Sequence, residues 1–132
     1  MSKTTSAPRA VLAEQIAAYI DLHFCEPALT LGKLSGIFHF NANYISYTFK
    51  EYVGTGVSRY IAKKRMEKAC GLLTKTQMAV KEIAEECGYA DALYFERVFK
   101  RHTGESPTAY RAQGERTKKS PDFDAFTKSF YR

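Results

Sequence analysis

The chain contains one pattern twice, about fifty residues apart. Residues 49–54 read FKEYVG and residues 99–104 read FKRHTG, so phenylalanine, lysine and a closing glycine recur at the same spacing. Further matches at an offset of 49 or 50 pair Leu34 with Ile83, Phe40 with Tyr89, Tyr44 with Tyr94, Ile45 with Phe95 and Tyr60 with Tyr110. A chain of 132 residues with this self-similarity is expected to hold two copies of one small structural unit.

The spacing of apolar residues predicts helices along the whole chain. From about Arg9 to Phe24 apolar side chains recur every three or four positions, which is the period of a helix with one buried face. The same reasoning predicts helices over 31–38, 42–53, 58–74, 80–87, 91–102 and 106–113. No segment alternates apolar and polar residues as a half-buried strand would. We therefore predict an all-α fold.

Residues that start and stop helices stand between these segments. Thr30 and Asn41 suit the N-cap position, because a side-chain oxygen there accepts a hydrogen bond from a free N–H of the first turn. Gly54 and Gly104 follow predicted helices as C-terminal glycines, and Ser106 precedes a proline at a helix start. Each copy of the repeat is therefore a short helix, a turn, a longer helix and a closing glycine.

This order of elements is the outline of a helix-turn-helix. The short helix needs a small residue where the long helix approaches it, and Ser35 and Ala84 occupy that place. The turn favours a residue that tolerates positive φ, which Gly88 supplies better than His39. The long helices are predicted to bury Tyr44, Ile45 and Phe49, and Tyr94, Phe95 and Phe99. Their opposite faces are free to enter a DNA major groove, although two hairpins stacked only for stability would share the pattern.

Charge and composition narrow the classes of function. The chain has 20 Lys+Arg against 14 Asp+Glu, with the excess concentrated after residue 60, especially in Lys63-Lys64-Arg65. Such a balance favours an anionic partner, most often nucleic acid. No leader and no membrane-spanning run is evident, so we expect a soluble intracellular protein. Without a CxxC pair, a catalytic trio or a phosphate loop, we expect no disulfide, metal, cofactor or catalytic site.

A family resemblance strengthens the nucleic-acid interpretation. The stretch IAEECGYADALYFERVFKRHTGESPTAYR resembles the signature of AraC/XylS-type transcription regulators, which carry a segment similar to IA..VGF.d.sYF.r.FK...G.sP..YR. The matching positions are Ile83, Ala84, Gly88, Tyr89, Asp91, Tyr94, Phe95, Arg97, Phe99, Lys100, Gly104, Ser106, Pro107, Tyr110 and Arg111. Residues 31–73 resemble the first half of the same domain. The DNA-repair relatives use a cysteine in a Pro-Cys motif, which this chain lacks.

The chain departs from the family pattern at a few places. His39 replaces a usual glycine and Ser35 a usual alanine, while Ala79 and Ala90 stand where a capping serine is common. These departures concern the first turn and the start of the helix at 80–87. Cys87 takes a position where the family commonly has valine, and we expect it in the core.

The resemblance implies seven helices in two helix-turn-helix subdomains. The expected segments are a flexible lead-in at 1–8, a DNA-binding domain at 9–113 and a C-terminal tail at 114–132. Within the domain we expect a first subdomain at 9–56, a joining helix at 57–74 and a second subdomain at 75–113. In the tail, Phe123, Phe126 and Phe130 fit either a docking helix or a partly disordered extension.

The resemblance also identifies the recognition helices as 42–53 and 91–102. Side chains in the first half of such a helix, away from its apolar face, reach base edges. The expected base-reading residues are Asn43, Ser46 and Tyr47 in the first helix, and Ala92, Leu93, Glu96 and Arg97 in the second. Phosphate contacts are expected near the far ends, from Lys50, Lys100 and Arg101.

Each of these residues has an ordinary alternative role. Arg97 is the strongest candidate because a guanidinium can bond guanine O6 and N7 together, yet it could instead pair with a neighbouring glutamate. Asn43 suits adenine or a helix cap, and Tyr47 suits a thymine methyl or a phosphate. Ala92 and Leu93 could contact thymine methyls or no base, and Glu96 could accept from cytosine N4 or simply repel phosphate.

The sequence thus predicts a sequence-specific transcription regulator that inserts two recognition helices into adjacent major-groove segments. We expect promoter or operator DNA and RNA polymerase as partners, no membrane, and a location in the bacterial cytosol, at the nucleoid when bound. One chain carries two unlike recognition helices, so a monomer is expected on DNA. Both a complete short regulator and the output domain of a longer one fit. The alternative is a helical protein–protein adaptor that keeps the fold without specific DNA binding.

Overall fold

A computed structural model describes residues 7–117 of the chain. Its helices are α1 (Ala7–His23), α2 (Leu31–Phe38), α3 (Ala42–Val53), α4 (Val57–Lys75), α5 (Val80–Glu86), α6 (Ala92–Thr103) and α7 (Pro107–Thr117). The predicted seven-helix, all-α fold is confirmed. The first six residues of the expected lead-in and the three tail phenylalanines lie outside the described residues. No helix in the described range has the length and apolar character needed to cross a membrane.

Most helix ends lie where the local chemistry predicts them. Thr30 Oγ1, Asn41 Oδ1 and Ser106 Oγ each accept a hydrogen bond from the backbone N–H three residues further on, at 2.9 to 3.1 Å. At the other end, Gly54 and Gly104 close α3 and α6 with φ values of 98° and 89°. These are left-handed conformations that glycine adopts without a steric penalty. The predicted caps are therefore confirmed.

Several helix ends in the second half differ from the prediction, most of all the end of α7, which lies at Thr117 and not near residue 113. α6 begins one residue later because Asp91 is its N-cap, with one carboxylate oxygen accepting from Leu93 N at 2.9 Å and Tyr94 N at 3.3 Å. α5 ends one residue earlier, and Cys87 is its C-cap. At the start of α5, Ala79 has no side-chain acceptor, but Glu82 Oε1 accepts from its backbone N–H at 3.2 Å. The glutamate thus satisfies one donor at a helix start that lacks a capping side chain.

The turn between α2 and α3 shows how the chain replaces the usual glycine. His39 has φ 63° and ψ 37°, whereas Gly88 in the second copy has φ 101°. A left-handed residue with a Cβ costs about 1–2 kcal/mol. Ser35 offsets part of that cost, because its hydroxyl donates to Phe40 O at 2.5 Å while its carbonyl accepts from His39 N at 2.9 Å. Ser35, which stands where the family usually has alanine, therefore stabilises the turn in which His39 replaces the usual glycine.

The chain forms two compact units, and the boundary between them along the chain lies within α4, between Ile61 and Ala62. The core of the first unit consists of Leu12, Ile16, Ile20, Leu29, Leu34, Ile45, Phe49, Val57 and Ile61. The core of the second consists of Met66, Ala69, Cys70, Leu73, Ile83, Ala84, Cys87, Tyr89, Phe95, Val98 and Phe99. Cys87 is fully buried, as predicted. Each unit thus buries its own apolar face of α4.

In both units a buried phenylalanine meets a tyrosine from the following helix. Phe49 and Tyr60 have ring centroids 5.3 Å apart at 76°, and Phe99 and Tyr110 have centroids 5.5 Å apart at 77°. Both phenylalanines are fully buried, as the repeat predicts. Edge-to-face pairs of this kind are favourable beyond the area they bury. The same contact therefore fixes the position of α3 in one unit and of α6 in the other.

The tyrosine hydroxyls and Arg111 complete the packing of each unit. Tyr60 Oη donates to Asp21 Oδ1 at 2.9 Å. Burial raises the pKa of the Cys70 thiol to about 11, with a hydrogen bond to Tyr110 opposing the shift. Arg111 donates to the carbonyl oxygens of Leu73, Thr76 and Met78 at 2.9, 3.3 and 2.7 Å. One guanidinium thus satisfies the carbonyls at and beyond the end of α4.

We predict that Thr48→Val stabilises the protein. Thr48 is fully buried and its hydroxyl finds no hydrogen-bond partner among the residues that the structure describes, whereas the second unit has Val98 at the same place in the repeat. A buried unsatisfied polar group costs about 1–3 kcal/mol, and valine has nearly the shape of threonine. Denaturant unfolding should show a gain of about 1 kcal/mol. The reverse change, Val98→Thr, is the matched control and should destabilise. A loss of stability in Thr48→Val would contradict the assignment.

Candidate nucleic-acid interface

The long helices of the repeat each bury one face and expose the other. α3 buries Ile45, Thr48 and Phe49, while α6 buries Phe95, Val98, Phe99, His102 and Thr103. The opposite side of α3 carries Asn43, Ser46, Tyr47 and Lys50, which we term the α3 outer face. The opposite side of α6 carries Leu93, Glu96, Arg97 and Lys100, which we term the α6 outer face. Both sets follow the spacing i, i+3, i+4, i+7, which places their members on one side of a helix.

The α3 outer face brings together all the predicted contact residues of the first helix. Asn43, Tyr47 and Lys50 are exposed, and Ser46 is half-buried. The capping alternative for Asn43 does not apply, because Asn41 holds the N-cap of α3. The amide, hydroxyl and ammonium groups of this face can all bond to base edges or phosphates.

The α6 outer face is more strongly charged. Leu93, Glu96, Arg97 and Lys100 are all exposed, and Arg101 is exposed beside them. Among the described side chains, which are those of residues 8–113, no carboxylate pairs with Arg97, so the alternative of a glutamate-paired arginine finds no support there. Its guanidinium keeps the fork of donors that suits guanine.

Ala92, which was also predicted to contact bases, lies only partly on the α6 outer face. It is half-buried and packs against the core of the second unit. The position follows from Asp91 being the N-cap, which makes Ala92 the first residue of the helix. A ligand at the α6 outer face would therefore meet only part of the alanine methyl group.

Two tyrosines predicted to face the cores are exposed instead. Tyr44 is 36% exposed and Tyr94 52% exposed, so the prediction that they line the buried faces was wrong. Each packs on an aromatic residue of the preceding turn, Tyr44 on Phe40 at 5.1 Å and Tyr94 on Tyr89 at 6.1 Å. Tyrosine accepts such a position because its ring packs while its hydroxyl stays in water. Sequence spacing alone did not show this.

Further basic side chains of the second unit lie near Lys100 of the α6 outer face and on α4. The last turn of α6 carries the exposed Lys100 and Arg101, a placement that also suits the negative end of the helix dipole, whereas His102 of the same turn is fully buried. On α4, the guanidinium of Arg65 lies over the ring of Tyr89 at 5.1 Å from its centroid. The aromatic residue that precedes α6 is thus packed against a cation. These cations favour the approach of an anionic ligand to the second unit.

Comparison with known proteins places the chain in a family. A family model described as a helix-turn-helix domain matches residues 34–113. The chain belongs to the AraC-type helix-turn-helix family. Both outer faces lie on helices inside the matched range. The resemblance stated from the sequence is therefore confirmed.

Curated relatives of the AraC-type chain are longer proteins. It is 36% identical over 109 residues to the uncharacterized HTH-type transcriptional regulator YijO of Escherichia coli. It is also 36% identical over 104 residues to the bifunctional transcriptional activator/DNA repair enzyme AdaA of Bacillus subtilis. These alignments cover 83% and 79% of this chain, but 38% and 49% of the two relatives. The chain therefore spans less than half the length of either protein.

Solved structures show the same fold. The C-terminal domain of the response regulator AraT from Geobacillus stearothermophilus is 35% identical, with a TM-score of 0.75 over 76% of this chain and 84% of that one. The DNA-binding domain of the global transcriptional factor AdpA, solved in complex with a target DNA, has a TM-score of 0.72 over 82% of this chain and 97% of its own. At 23% identity, the likeness to AdpA concerns the fold.

Proposed function

We propose that this AraC-type chain acts as a sequence-specific DNA-binding transcription regulator, in which α3 and α6 each enter a major-groove segment of one duplex. The observation that carries the proposal is the pair of outer faces. Each of the two helices carries four outer side chains at the same helical spacing. These side chains lie opposite the buried face of the helix, which a fully buried phenylalanine holds in the core. A helix docked in this way offers a rigid surface to base edges.

The chemistry of each outer face suggests the bases it contacts. We assign Arg97 to guanine and Asn43 to adenine, since these side chains form paired hydrogen bonds with those bases. Tyr47, Ser46 and Glu96 are assigned as further base contacts. Leu93 is assigned to a thymine methyl, and Ala92 adds at most the exposed part of its methyl. Phosphate contacts are assigned to the exposed cations Lys50, Lys100 and Arg101.

The relatives support the regulatory part of the proposal. YijO and AdaA carry the names of transcriptional regulators, and AdaA is also named as a DNA repair enzyme. We assign only the regulatory role to this chain, because its AraC-type residues carry the proposed site. RNA polymerase at promoter DNA and a cytoplasmic location follow from that role and belong to the proposal.

Selection from random duplex DNA at about 0.15 M salt tests the proposed function directly. We expect an enriched motif with two unlike halves, because the α3 and α6 outer faces differ at three of their four positions and share only the lysine at the fourth. Native mass spectrometry of the complex on that motif should show one chain per duplex. Failure to enrich any sequence would favour the helical adaptor instead. Two chains on a palindrome, with no one-to-one species, would contradict binding as a monomer.

We predict that Arg97→Ala weakens binding to the selected duplex by about 1–3 kcal/mol, since it removes a paired base contact. Binding to random duplex should fall much less, because that affinity comes mainly from phosphate contacts. Lys100→Ala is the matched control and should weaken both duplexes alike, lowering the salt slope by about one. Fluorescence anisotropy over a salt series measures both effects. Equal losses on both duplexes for Arg97→Ala would make Arg97 a phosphate contact.

We predict that Leu93 distinguishes thymine from deoxyuridine. Its side chain is 69% exposed in the first turn of α6, and burying one methyl group against it contributes about 0.8 kcal/mol, or roughly fourfold. Replacing single thymines of the selected duplex by deoxyuridine should weaken wild-type binding by about that factor at one position. The loss should vanish in Leu93→Ala. Leu22→Ala, an exposed leucine on α1, is the control and should keep it.

A uniform response would contradict this assignment. If no single deoxyuridine weakens the wild type, Leu93 contacts no thymine methyl. If the loss persists in Leu93→Ala, another side chain contacts the methyl group.

A further inference from the structure

Arg9 of α1 forms a cluster with three residues of α3 in the first unit. Its guanidinium pairs with the carboxylate of Glu51. Its Cζ atom lies 5.4 Å from the ring centroid of Tyr47 and 5.7 Å from that of Tyr52. The Nε atom of Arg9 is buried within this cluster. One cation therefore contacts two aromatic rings and one carboxylate on the same helix.

The cluster includes a member of the α3 outer face. Tyr47 is 62% exposed, so its ring would otherwise be free to sample several rotamers in water. A guanidinium over the ring favours one of them through cation–π attraction. A hydrogen bond with Tyr47 and then the charge of Glu51 raise the pKa of Arg9, against the opposing effect of desolvation. The contact thus selects an orientation for an exposed side chain.

The pair with Glu51 holds Arg9 in place. Glu51 lies one turn after Tyr47 along α3, at the edge of the outer face. An uncompensated carboxylate there would repel DNA phosphates, and the charge of Arg9 offsets it. Because that charge is already matched, Arg9 adds little net attraction for the DNA backbone. Its effect on binding is expected to pass through Tyr47.

The α3 members of this cluster are not repeated at the matching positions of α6. At an offset of fifty residues, Tyr47 corresponds to Arg97 and Glu51 to Arg101. An arginine placed over this pair would meet two like charges, which is unfavourable. The two outer faces therefore rely on different chemistry. On α6 the central group is the guanidinium of Arg97, whereas on α3 it is the ring of Tyr47, which Arg9 of α1 contacts.

We propose that Arg9 is a positioning residue of the DNA interface, which orients Tyr47 for its contact in the groove. The proposal rests on the proposed function, because it requires the α3 outer face to contact DNA. Arg9 itself contacts neither base nor phosphate in this arrangement. Arg9, in the first turn of α1, thereby contributes to the specificity of DNA binding by α3, which begins more than thirty residues further along the chain.

A double-mutant cycle on the selected duplex tests the proposal. The proteins are wild type, Arg9→Ala, Tyr47→Ala and the double variant, with affinity measured over a salt series. We expect Arg9→Ala to weaken binding by about two- to fivefold in wild type, the range that a cation–π contact supplies. The loss should fall below about 1.5-fold when Tyr47 is already alanine. On random duplex the loss caused by Arg9→Ala should not depend on Tyr47. The salt slope should fall by clearly less than one, because the carboxylate of Glu51 loses its partner but no phosphate contact is removed.

A second variant separates positioning from folding. Arg9→Lys keeps the charge and the helix, but an ammonium cannot stack on two rings while pairing with a carboxylate as the planar guanidinium does. Binding of this variant should lie between those of wild type and Arg9→Ala, with the melting temperature unchanged. Equivalence of Arg9→Lys to wild type would mean that only charge matters and would overturn the proposal.

Three other results would also overturn it. Equal losses with and without Tyr47 would show that Arg9 acts independently of the ring. A salt slope lowered by about one would show a direct phosphate contact. Unchanged affinity in Arg9→Ala would show that the cluster has no part in binding. Failure of the proposed function is distinguishable from all of these, because the wild type would then enrich no duplex at all.

Discussion

One aromatic contact in each unit determines where the proposed DNA-contacting side chains lie. Phe49 and Phe99 are fully buried, and each forms an edge-to-face pair with a tyrosine from the next helix. Because successive residues of a helix are separated by about 100°, fixing one ring fixes the direction of every other side chain on α3 or α6. A truncated ring would cost about 3–5 kcal/mol, a large share of the stability of a small domain. The outer faces are therefore a consequence of the buried ones.

The two copies share this framework and differ in what it carries. The first copy makes its turn with a left-handed histidine and the second with Gly88, yet both turns deliver a long helix with the same buried face. On the outer faces, Tyr47 in one copy stands where Arg97 stands in the other. Core packing depends on volume and shape, whereas recognition depends on the chemistry of side chains that touch nothing in the core. The repeat can therefore keep one geometry and two specificities.

Local signals in the sequence predicted most of this architecture. Thr30 and Asn41 were identified as caps because a cap bonds within three residues of itself, and the helical period placed the buried rings. The exposure of Tyr44 and Tyr94 was not predictable from period alone, since tyrosine satisfies either a buried or a wet position. The cluster around Arg9 joins residues 42 positions apart. Such a contact depends on how α1 packs on α3, which no local pattern encodes.

The boundary between the two units falls inside a helix, and this bears on how such a chain could have arisen. The first turns of α4 supply Val57 and Tyr60 to one unit, and at an offset of fifty residues Pro107 and Tyr110 begin α7 in the other. The last element of each unit is thus the same kind of helix, and in the first unit this helix continues as the first element of the second unit. A tandem duplication could join two copies by continuing the last helix of the first copy into the first helix of the second, so that no separate linker is needed. If units from two different family members were fused in the laboratory, the middle of α4 would be the position at which to join their sequences.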